Sequence, residues 1–291
     1  MKILLTGSHG FLGSHYLEML HRYGHDVIPV DIRNGLDLCD RDLVQSLPDV
    51  ETVVHFAALN GTRHFYDRPW TVITNNILPT QYLLERYANQ VELFVFAGSC
   101  ESYASSVSLG VAEIPTAELV PLCVDDVTNP RWSYGGSKIA NELQVLAAHH
   151  QFDMSYQILR FHNVYGPGQV DHFIPEFVER SRQGDYRVFG GDETRAFCFV
   201  SDALDAAHQL MLDHDCHDHI INIGHDHEIT IAEVARKILQ RMGINHDINS
   251  VPGRPGSVQR RCPDVTLLRS LTGWCPRVDI DHGLDLTLGS L

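Results

Sequence analysis

The sequence has no excess of basic residues and no paired cysteine motif, and each absence excludes a class of partner or structure. Its 291 residues include 22 lysines and arginines against 37 acidic residues, which gives a formal net charge of −15. A nucleic-acid or anionic-membrane partner is therefore not expected, because phosphate groups attract clustered cations. The seven cysteines are odd in number, dispersed and without a CxxC pair, so we expect free thiols in a reducing compartment.

Long hydrophobic runs are also missing from the chain. No apolar run approaches the ~18 residues that cross a bilayer. The first two residues, Met1-Lys2, lead into a predicted strand without the features of a signal peptide, so we expect a cytoplasmic protein. Internal repeats and low-complexity segments are not apparent. With 44% hydrophobic residues, the composition predicts one large domain or two closely packed lobes.

An apolar run at residues 93–98 stops abruptly at Ser99, Cys100 and Glu101. A run of this length predicts a buried parallel strand, and ligands in open α/β sheets bind beyond the carboxyl ends of such strands. We therefore expect these three side chains at the mouth of a binding site. A serine-rich turn without a ligand explains the segment equally well when the segment is considered alone.

Three glycines, Gly7, Gly10 and Gly13, lie between a short apolar strand and a helical pattern. Glycines in this position allow a tight turn, the close approach of a pyrophosphate and the packing of helix on strand, and the helix N-terminus then faces the phosphates. A second predicted strand ends at Asp31, 18 residues after Gly13, where an acid can bind ribose hydroxyls and repel a 2′-phosphate. The pattern predicts NAD rather than NADP, although Arg33 would suit a phosphate.

Tyr134 and Lys138 are four residues apart in a predicted helix, so their side chains share one face and can act on the same atom. Tyrosine has a reference pKa of about 10, which is too high for a base at neutral pH unless a neighbouring cation favours the phenolate. Lys138 can supply that cation. Such a pair is common by itself, but its position after the glycine loop and Ser99 favours redox chemistry.

These features together resemble the short-chain dehydrogenase/reductases, in which a GxxGxxG loop precedes a serine–tyrosine–lysine constellation. Two later segments resemble the extended branch of that superfamily, the NAD-dependent sugar-nucleotide epimerases and dehydratases. Residues 160–168 resemble its R-x-x-N-x-Y-G-P motif, and residues 188–202 resemble a segment that ends in R-x-F-x-x-V-x-D. The matching motifs occur in the family order along essentially the whole chain, although Pro79 replaces a glycine of the family pattern around Asn76.

The resemblance implies an α/β fold, a Rossmann-type doubly wound parallel sheet with a smaller C-terminal α/β substrate lobe. Members of the family usually form homodimers through two helices, here expected to be those that contain Asn76 and Lys138. The domain ranges expected are residues 1–162 plus about 197–224 for the NAD-binding domain, and about 163–196 plus 225–291 for the sugar-nucleotide-binding lobe.

The resemblance also implies which residues hold NAD. They lie in the glycine loop, at the ends of successive predicted strands and at the tyrosine–lysine pair, and small residues among them let the cofactor lie against the backbone. The expected contacts are Gly7, Gly10, Phe11, Leu12, Gly13, Asp31, Ile32, Arg33, Asp37, Leu38, Ala57, Ala58, Asn76, Ala97, Tyr134, Lys138 and Phe161.

A nucleotide-diphosphate sugar is the substrate that the resemblance implies. An acidic protein must offset the negative diphosphate with placed arginines; the alternative is that these arginines form ordinary surface salt bridges. The expected substrate contacts are Ser99, Cys100, Glu101, Asn163, Phe189, Arg195 and Arg254.

The implied reaction begins with oxidation of the sugar at C4. Ser99 would hold the C4 hydroxyl while Tyr134, assisted by Lys138, removes its proton and a hydride passes to NAD. The resulting 4-ketone makes the C5 proton acidic, and Glu101 is expected to remove it before water is lost. Cys100 would donate a proton to the departing 6-hydroxyl. The resemblance therefore implies a sugar-nucleotide dehydratase.

Three alternatives to the dehydratase stay open. A 4-epimerase would return the hydride to the other face of the ketone, and Glu101 would then only bind a hydroxyl. An NADPH-dependent keto-sugar reductase is a further alternative. A non-catalytic dinucleotide sensor is disfavoured because the serine, tyrosine and lysine are all present.

Histidine-rich segments at residues 214–219 and 225–227 resemble metal sites in isolation, because histidine and cysteine are the usual zinc ligands. The first of them falls in a predicted polar loop, which does not imply closed tetrahedral geometry. We therefore expect no metal, and we assign no chemistry to His172.

Overall fold

A six-stranded parallel sheet forms the centre of the protein, which is described from a computed structural model over residues 1–253 and 257–289. The strands are β1 (Lys2–Thr6), β2 (Asp26–Val30), β3 (Thr52–His55), β4 (Leu93–Ser99), β5 (Tyr156–Phe161), β6 (Val164–Tyr165), β7 (Arg187–Phe189), β8 (Thr194–Arg195), β9 (Cys198–Phe199), β10 (His219–Ile223), β11 (Ile229–Thr230), β12 (Asn249–Val251) and β13 (Arg260–Arg261). The central sheet has the order β10-β5-β4-β3-β1-β2.

Helices cover both faces of this sheet. They are α1 (Phe11–Arg22), α2 (Arg41–Ser46), α3 (Thr62–Asp67), α4 (Pro69–Tyr87), α5 (Ala104–Ser108), α6 (Trp132–Phe152), α7 (Phe173–Arg182), α8 (Val200–Leu212), α9 (Ile231–Arg241), α10 (Thr266–Thr272) and α11 (Ile280–Leu288). Within the described ranges, no helix combines the length and the apolar character needed to span a bilayer.

The strands at the centre of the sheet are apolar almost throughout, because a parallel sheet buries both of its faces. Leu4 pairs in register with Val53, and Val53 with Phe94. These three side chains pack in one core with α4 and α6. Leu5 and Val54 point to the opposite face, as successive strand residues must, and pack in a second core with α1 and α8.

The C-terminal lobe is built from small sheets, with β8 between β11 and β13 and with β7 paired to β12. Asp202 of α8 joins this lobe to the rest of the protein. Its carboxylate accepts hydrogen bonds from the backbone N–H groups of Arg277 and Val278, both at 2.8 Å. Its carbonyl accepts one from the Trp274 indole at 3.0 Å. The lobe is thereby held against α8.

The predicted fold class is confirmed. In the strand order, β1 lies between β2 and β3, so the chain turns to both sides of β1, and the carboxyl edge beside it is the usual ligand site of such sheets. β10 pairs with β5 and belongs to the segment expected in the NAD-binding domain. The domain boundaries themselves stay predictions.

Candidate active site

A cavity of about 650 Å³ lies between the carboxyl edge of the central sheet and the C-terminal lobe. These walls meet because parallel strands end at the same edge of a sheet. The predicted site residues that line the cavity are Gly7, Gly10, Phe11, Leu12, Gly13, Arg33, Ala58, Ala97, Ser99, Cys100, Glu101, Tyr134, Lys138, Phe161, Asn163, Phe189 and Arg195.

The glycine loop forms a close-fitting turn at one end of the cavity. Gly7 has a φ of 68°, and a Cβ there would lie 2.7 Å from the Ala57 nitrogen. A Cβ on Gly13 would lie 2.0 Å from the Gly7 carbonyl oxygen. The residue before α1, Gly10, provides no side-chain cap, and the first turn of α1 carries no acid. The helix N-terminus is therefore open to an anion, which fits a dinucleotide pyrophosphate.

Asp31 ends β2 beside this loop. Its two carboxylate oxygens accept hydrogen bonds from the backbone N–H groups of His9 and Arg33, each at 2.9 Å. The Arg33 guanidinium in turn donates to the His9 carbonyl. Asp31 therefore braces the glycine loop, and its contact with the cofactor ribose stays a prediction. Contacts at Ile32, Asp37 and Ala57, which also lie outside the cavity lining, stay predictions as well.

Two further predicted cofactor contacts, Asn76 and Leu38, are also absent from the cavity lining. Asn76 is buried in α4, where its Oδ1 accepts from Leu59 N at 2.7 Å and its Nδ2 donates to Ser137 Oγ at 3.1 Å. It therefore holds α4 against α6 and the loop after β3, instead of facing the cavity. Leu38 packs in the core beside α4. Contact of these two residues with the cofactor stays a prediction.

Ser99, Tyr134 and Lys138 meet at the end of β4. Lys138 Nζ donates to the Ala97 carbonyl at 2.7 Å and lies 5.8 Å from the centre of the Tyr134 ring. Burial lowers the pKa of Lys138 to about 8, against the opposing effect of the Glu142 carboxylate, so the ammonium is largely charged at neutral pH. Burial raises the pKa of Tyr134, and a hydrogen bond with Ser99 opposes the rise. Ionisation of the phenol therefore depends on nearby positive charge.

Glu101 is bound on two sides by arginines. Its carboxylate accepts from Arg261 Nη1 at 2.6 Å and from Arg131 Nη2 at 3.1 Å. Burial alone would raise the pKa of Glu101, but the two guanidinium groups lower it to about 2. A carboxylate with so low a pKa is a weak base. The predicted removal of the C5 proton by Glu101 stays a prediction.

The two arginines keep hydrogen-bonding capacity beyond Glu101. The Nε atoms of Arg131 and Arg261 are buried and have no partner among the described residues. Buried N–H groups without an acceptor are costly, and two cations facing one carboxylate leave a surplus of positive charge. Cys100 lies beside them, with its Sγ 3.8 Å from Arg261 Nη1. Because burial raises the pKa of the Cys100 thiol, the thiol is protonated at neutral pH.

Two further predicted substrate residues line the same cavity. Asn163 has a φ of 41°, and its Nδ2 is buried without a partner in the described part of the chain. The Phe189 ring is covered by the Arg180 guanidinium at 5.6 Å. The third, Arg254, lies outside the described residues. The cavity thus offers an unused amide and an aromatic face away from the redox residues.

Arg195 is paired within the cavity wall. It donates to Glu193 at 2.7 Å, and burial, together with the nearby charge of Arg261, lowers the pKa of Arg195 to about 10. The guanidinium is still charged at neutral pH. Arg195 and Arg261 therefore face the same space, which is suited to an anion.

The sequence analysis missed Arg131 and Arg261, and it assigned no chemistry to His172. Arg131 precedes Tyr134 by three residues, and this short distance from the predicted catalytic tyrosine could have indicated that it lies in the site. Arg261 lies in the two-residue strand β13 and outside every motif considered, so no local pattern indicates it. His172 lines the cavity with a φ of 78°, and its Nε2 lies 3.4 Å from Asn60 Nδ2. In the described residues, no group of three or more His, Cys, Asp or Glu side chains is arranged to hold a metal ion.

Comparison with known proteins identifies the family. A model described as the NAD dependent epimerase/dehydratase family matches residues 3–224. The chain belongs to this family. It is 29% identical to the UDP-N-acetyl-alpha-D-glucosaminuronate decarboxylase of Bacillus cytotoxicus over 99% of this chain and 96% of that protein. It is 30% identical to the dTDP-glucose 4,6-dehydratase of Streptomyces niveus over 98% and 90%, respectively.

A solved structure shows the same architecture. The UDP-glucose 4-epimerase of Thermotoga maritima, solved with UDP-glucose, matches with a TM-score of 0.87 at 26% identity and covers 100% of this chain and 98% of its own. The predicted family, the predicted NAD cofactor and the prediction of an enzyme are confirmed. Relatives include decarboxylases, dehydratases and 4-epimerases of sugar nucleotides, so the reaction must be argued from the site.

Gly13→Ala is expected to weaken NAD binding. The added Cβ would lie 2.0 Å from the Gly7 carbonyl oxygen, so the loop must open and its N–H groups no longer converge on the pyrophosphate. Overpacking of this kind costs about 1–3 kcal/mol, so we expect the Kd for NAD to rise about 5- to 150-fold in calorimetric titrations of nucleotide-free protein. Gly136→Ala, whose Cβ meets nothing within 4 Å, is the control. Unchanged binding by Gly13→Ala would contradict the assignment of the loop.

Glu101→Gln is expected to remove a pH-dependent part of the stability. The folded protein holds the pKa of Glu101 at about 2, below the value of about 4.3 for an unfolded glutamate. The stabilisation, about 3 kcal/mol, is therefore complete above the unfolded pKa and is lost as the pH falls through the folded one.

Urea denaturation from pH 7 down to pH 3 measures this effect. Glu101→Gln should be less stable than the wild type at pH 7, and the difference should narrow below about pH 4. A difference in the free energy of unfolding that is independent of pH would show that the arginines do not hold a carboxylate at this position.

Proposed function

We propose that this protein oxidises a nucleotide-diphosphate hexuronate at C4 and then releases C6 as carbon dioxide. The observation that carries the proposal is the pair of arginines that share the single carboxylate of Glu101 in the wall of the cavity. The surplus charge accommodates one further anionic group next to the redox residues. A carboxylate at C6 of the sugar suits guanidinium geometry. The Bacillus cytotoxicus relative, a decarboxylase by name, supports this choice.

Oxidation at C4 is assigned to Ser99, Tyr134 and Lys138. Ser99 holds the C4 hydroxyl, and the Tyr134 phenolate takes the hydroxyl proton as the C4–H bond breaks. Lys138 stabilises the phenolate through its charge. The bound NAD supplies the acceptor for the hydride that leaves C4 and later returns it. After oxidation, the C4 ketone and the C6 carboxylate form a β-keto acid.

Release of carbon dioxide from a β-keto acid requires no base. The C5–C6 bond breaks, its electron pair moves into an enolate across C5 and C4, and C6 departs as carbon dioxide. Arg131 and Arg261 orient the carboxylate before it leaves. Glu101, with its pKa of about 2, fixes the two arginines and does not need to accept a proton.

Protonation of C5 follows, and Cys100 is the proposed donor. Its thiol is protonated at neutral pH because burial raises its pKa. Arg261 Nη1, 3.8 Å from the sulfur, would stabilise the thiolate until it recovers a proton from solvent. Return of the hydride to C4 would then yield a 4-hydroxy pentose and restore the oxidised cofactor, whereas release of the product before that step would yield a 4-keto pentose and leave the cofactor reduced.

The remainder of the substrate is assigned to the other end of the cavity. Arg195 offers positive charge to the diphosphate, and Asn163 offers its unpartnered Nδ2 as a donor. Phe189, beneath Arg180, offers a flat surface to the nucleobase. Arg254 is retained as a proposed substrate contact from the family resemblance alone.

Dehydration and 4-epimerisation are the competing reactions. The Streptomyces niveus relative is named as a dehydratase, and the Thermotoga maritima structure is named as a 4-epimerase. Dehydration, the reaction predicted from the sequence, needs a base at C5, and the arginines make Glu101 a poor one. Epimerisation of a neutral hexose needs only the ketone and does not account for a surplus of buried arginine at the sugar end, whereas epimerisation of a hexuronate would use the same arginines and differs from decarboxylation in keeping C6. Decarboxylation uses both features of the site, the low pKa of Glu101 and the surplus positive charge of the two arginines beside it.

Carbon dioxide release from the sugar is the test of this proposal. Nucleotide-activated hexuronates carrying an isotopic label at C6 should release labelled carbon dioxide, and the corresponding neutral hexoses should be poor substrates. Arg261→Gln should lower kcat/KM for the hexuronate roughly 30- to 100-fold, since a hydrogen bond to a charged group contributes about 2–3 kcal/mol. It should lower kcat/KM for a hexose much less.

Arg260→Gln is the matched control for Arg261→Gln. Arg260 precedes Arg261 in β13, is about half exposed and pairs with Glu228 outside the main cavity. It should leave the preference between substrates unchanged. Loss of water or inversion at C4 without release of carbon dioxide, from any sugar nucleotide tested, would replace the proposal with a dehydratase or a 4-epimerase.

We also propose that the protein is a homodimer that pairs through α4 and α6. Large apolar side chains are exposed on both helices, with Ile73 39% and Leu143 63% accessible. Leu143→Glu should convert a dimer into a monomer in sedimentation velocity experiments, because a charge in the interface is costly unless it is paired. Leu212→Glu, a change of similar exposure at the end of α8, should leave the dimer intact. A wild-type monomer would refute this proposal.

A further inference from the structure

A buried ion pair lies directly behind the redox residues. Glu142 follows Lys138 by one helical turn on α6, and its carboxylate binds the guanidinium of Arg160 from β5. The two contacts, Arg160 Nε to Oε1 at 3.0 Å and Nη2 to Oε2 at 2.6 Å, form a two-pronged fork. Both side chains are less than 5% exposed. A pair so deeply buried is not needed for stability as such, because apolar residues often serve equally well.

Other groups hold Arg160 in place. Its Nη1 donates to the Tyr103 hydroxyl at 2.6 Å and to the Glu118 carbonyl at 2.8 Å. Gly98 of β4 leaves room for the pair, since a Cβ there would lie 2.9 Å from Arg160 Cγ and 3.3 Å from Glu142 Oε1. The fork is therefore part of the fixed structure beneath the end of β4.

Lys138 and Glu142 have the i,i+4 spacing at which helix side chains form ion pairs. In this structure they do not pair, because Arg160 occupies both Glu142 oxygens and Lys138 Nζ donates to the Ala97 carbonyl. If Arg160 were removed, the buried Glu142 carboxylate would be unpaired, which is costly, and binding the nearest cation would lower that cost. That cation is Lys138.

We propose that Arg160 and Glu142 are positioning residues for the oxidation step, in which Arg160 keeps the Glu142 carboxylate from neutralising Lys138. The ammonium charge then stays available to the Tyr134 phenolate. The inference rests on the proposed function only in its oxidation step, which dehydration and epimerisation share. Arg160 and Glu142 would thereby contribute to the reaction although they contact neither the cofactor site nor the sugar site.

The other groups that face these side chains do not replace Glu142. His55 of β3 approaches Lys138, but burial, followed by the charge of Lys138, lowers the pKa of His55 to about 3, so it is neutral. Tyr134 is faced by Glu101 and Cys100 from the end of β4. Glu101 is itself bound by arginines, and the Cys100 thiol is uncharged at neutral pH. The charge on Lys138 is thus governed by Glu142.

The sequence makes a direct test available, because the chain contains three lysines, Lys2, Lys138 and Lys237. NMR titration of isotope-labelled lysine side chains can follow each of them, and Lys138→Met assigns the buried one. Glu142→Gln should lower the pKa of Lys138 by about 1, because it removes a nearby anion. Arg160→Met should raise it by about 1, because the carboxylate then pairs with Lys138.

The double variant Glu142→Gln/Arg160→Met separates this proposal from a purely structural role. Arg160→Met alone should lower kcat for sugar oxidation about 10-fold, with little change in KM, and the double variant should regain most of that loss. If the pair only supported the fold, kcat in the single and double variants would follow their thermal stability, and the pKa of Lys138 would not shift in opposite directions in the two single variants. Thermal unfolding monitors the loss of stability separately.

If Arg160→Met does not fold, Arg160→Lys is the variant to use, because it retains the positive charge. It should keep the pKa of Lys138 near the wild-type value. Shifts of the Lys138 pKa in the same direction for Glu142→Gln and Arg160→Met, or no shift in Glu142→Gln, would overturn the proposal. The titration uses no substrate, so its outcome is independent of whether the enzyme releases carbon dioxide.

Discussion

The site depends on the close packing at the carboxyl end of β4. The Ala97 carbonyl accepts a hydrogen bond from Lys138 Nζ. The absence of a side chain at Gly98 leaves room for Arg160 and Glu142. Ser99 follows at the cavity mouth. The sheet around β4 is buried on both faces, so none of these positions can shift without disturbing the two cores. One strand end thereby sets the positions of both the redox residues and the charges around them.

Burial then decides what each charge can do. A buried ion is tolerated when it is paired or hydrogen-bonded, and Glu101 and Glu142 both satisfy this condition through arginine. Lys138 satisfies it through a carbonyl, so its charge is not cancelled by a carboxylate. A chain with a net charge of −15 can therefore still present positive charge to a cavity, because Arg131, Arg195 and Arg261 lie together in the cavity wall.

Short-range patterns were enough to predict the fold and to predict that Ser99, Tyr134 and Lys138 lie in one cavity. The glycine loop and the pair Tyr134 and Lys138 each lie within a single turn or helix, where spacing determines geometry. The chemistry of Glu101 was not predictable in this way, because its pKa depends on Arg131 and on Arg261, which come from distant parts of the chain. The direction of a side chain was also not predictable from short-range patterns. Helix packing, for example, turns the Asn76 side chain toward α6.

The protonation energetics of Glu101 separate the reactions that a 4-ketone can undergo. A carboxylate with a pKa of about 2 is weaker as a base than one with the reference value by about 3 kcal/mol, or roughly two orders of magnitude in a proton-transfer equilibrium. Dehydration through C5 deprotonation bears this cost in full. Decarboxylation avoids it, because the electron pair left at C5 comes from the C5–C6 bond and no proton has to be removed. The arginines that weaken Glu101 as a base are also the groups suited to the carboxylate that leaves, so one arrangement disfavours the first reaction and favours the second.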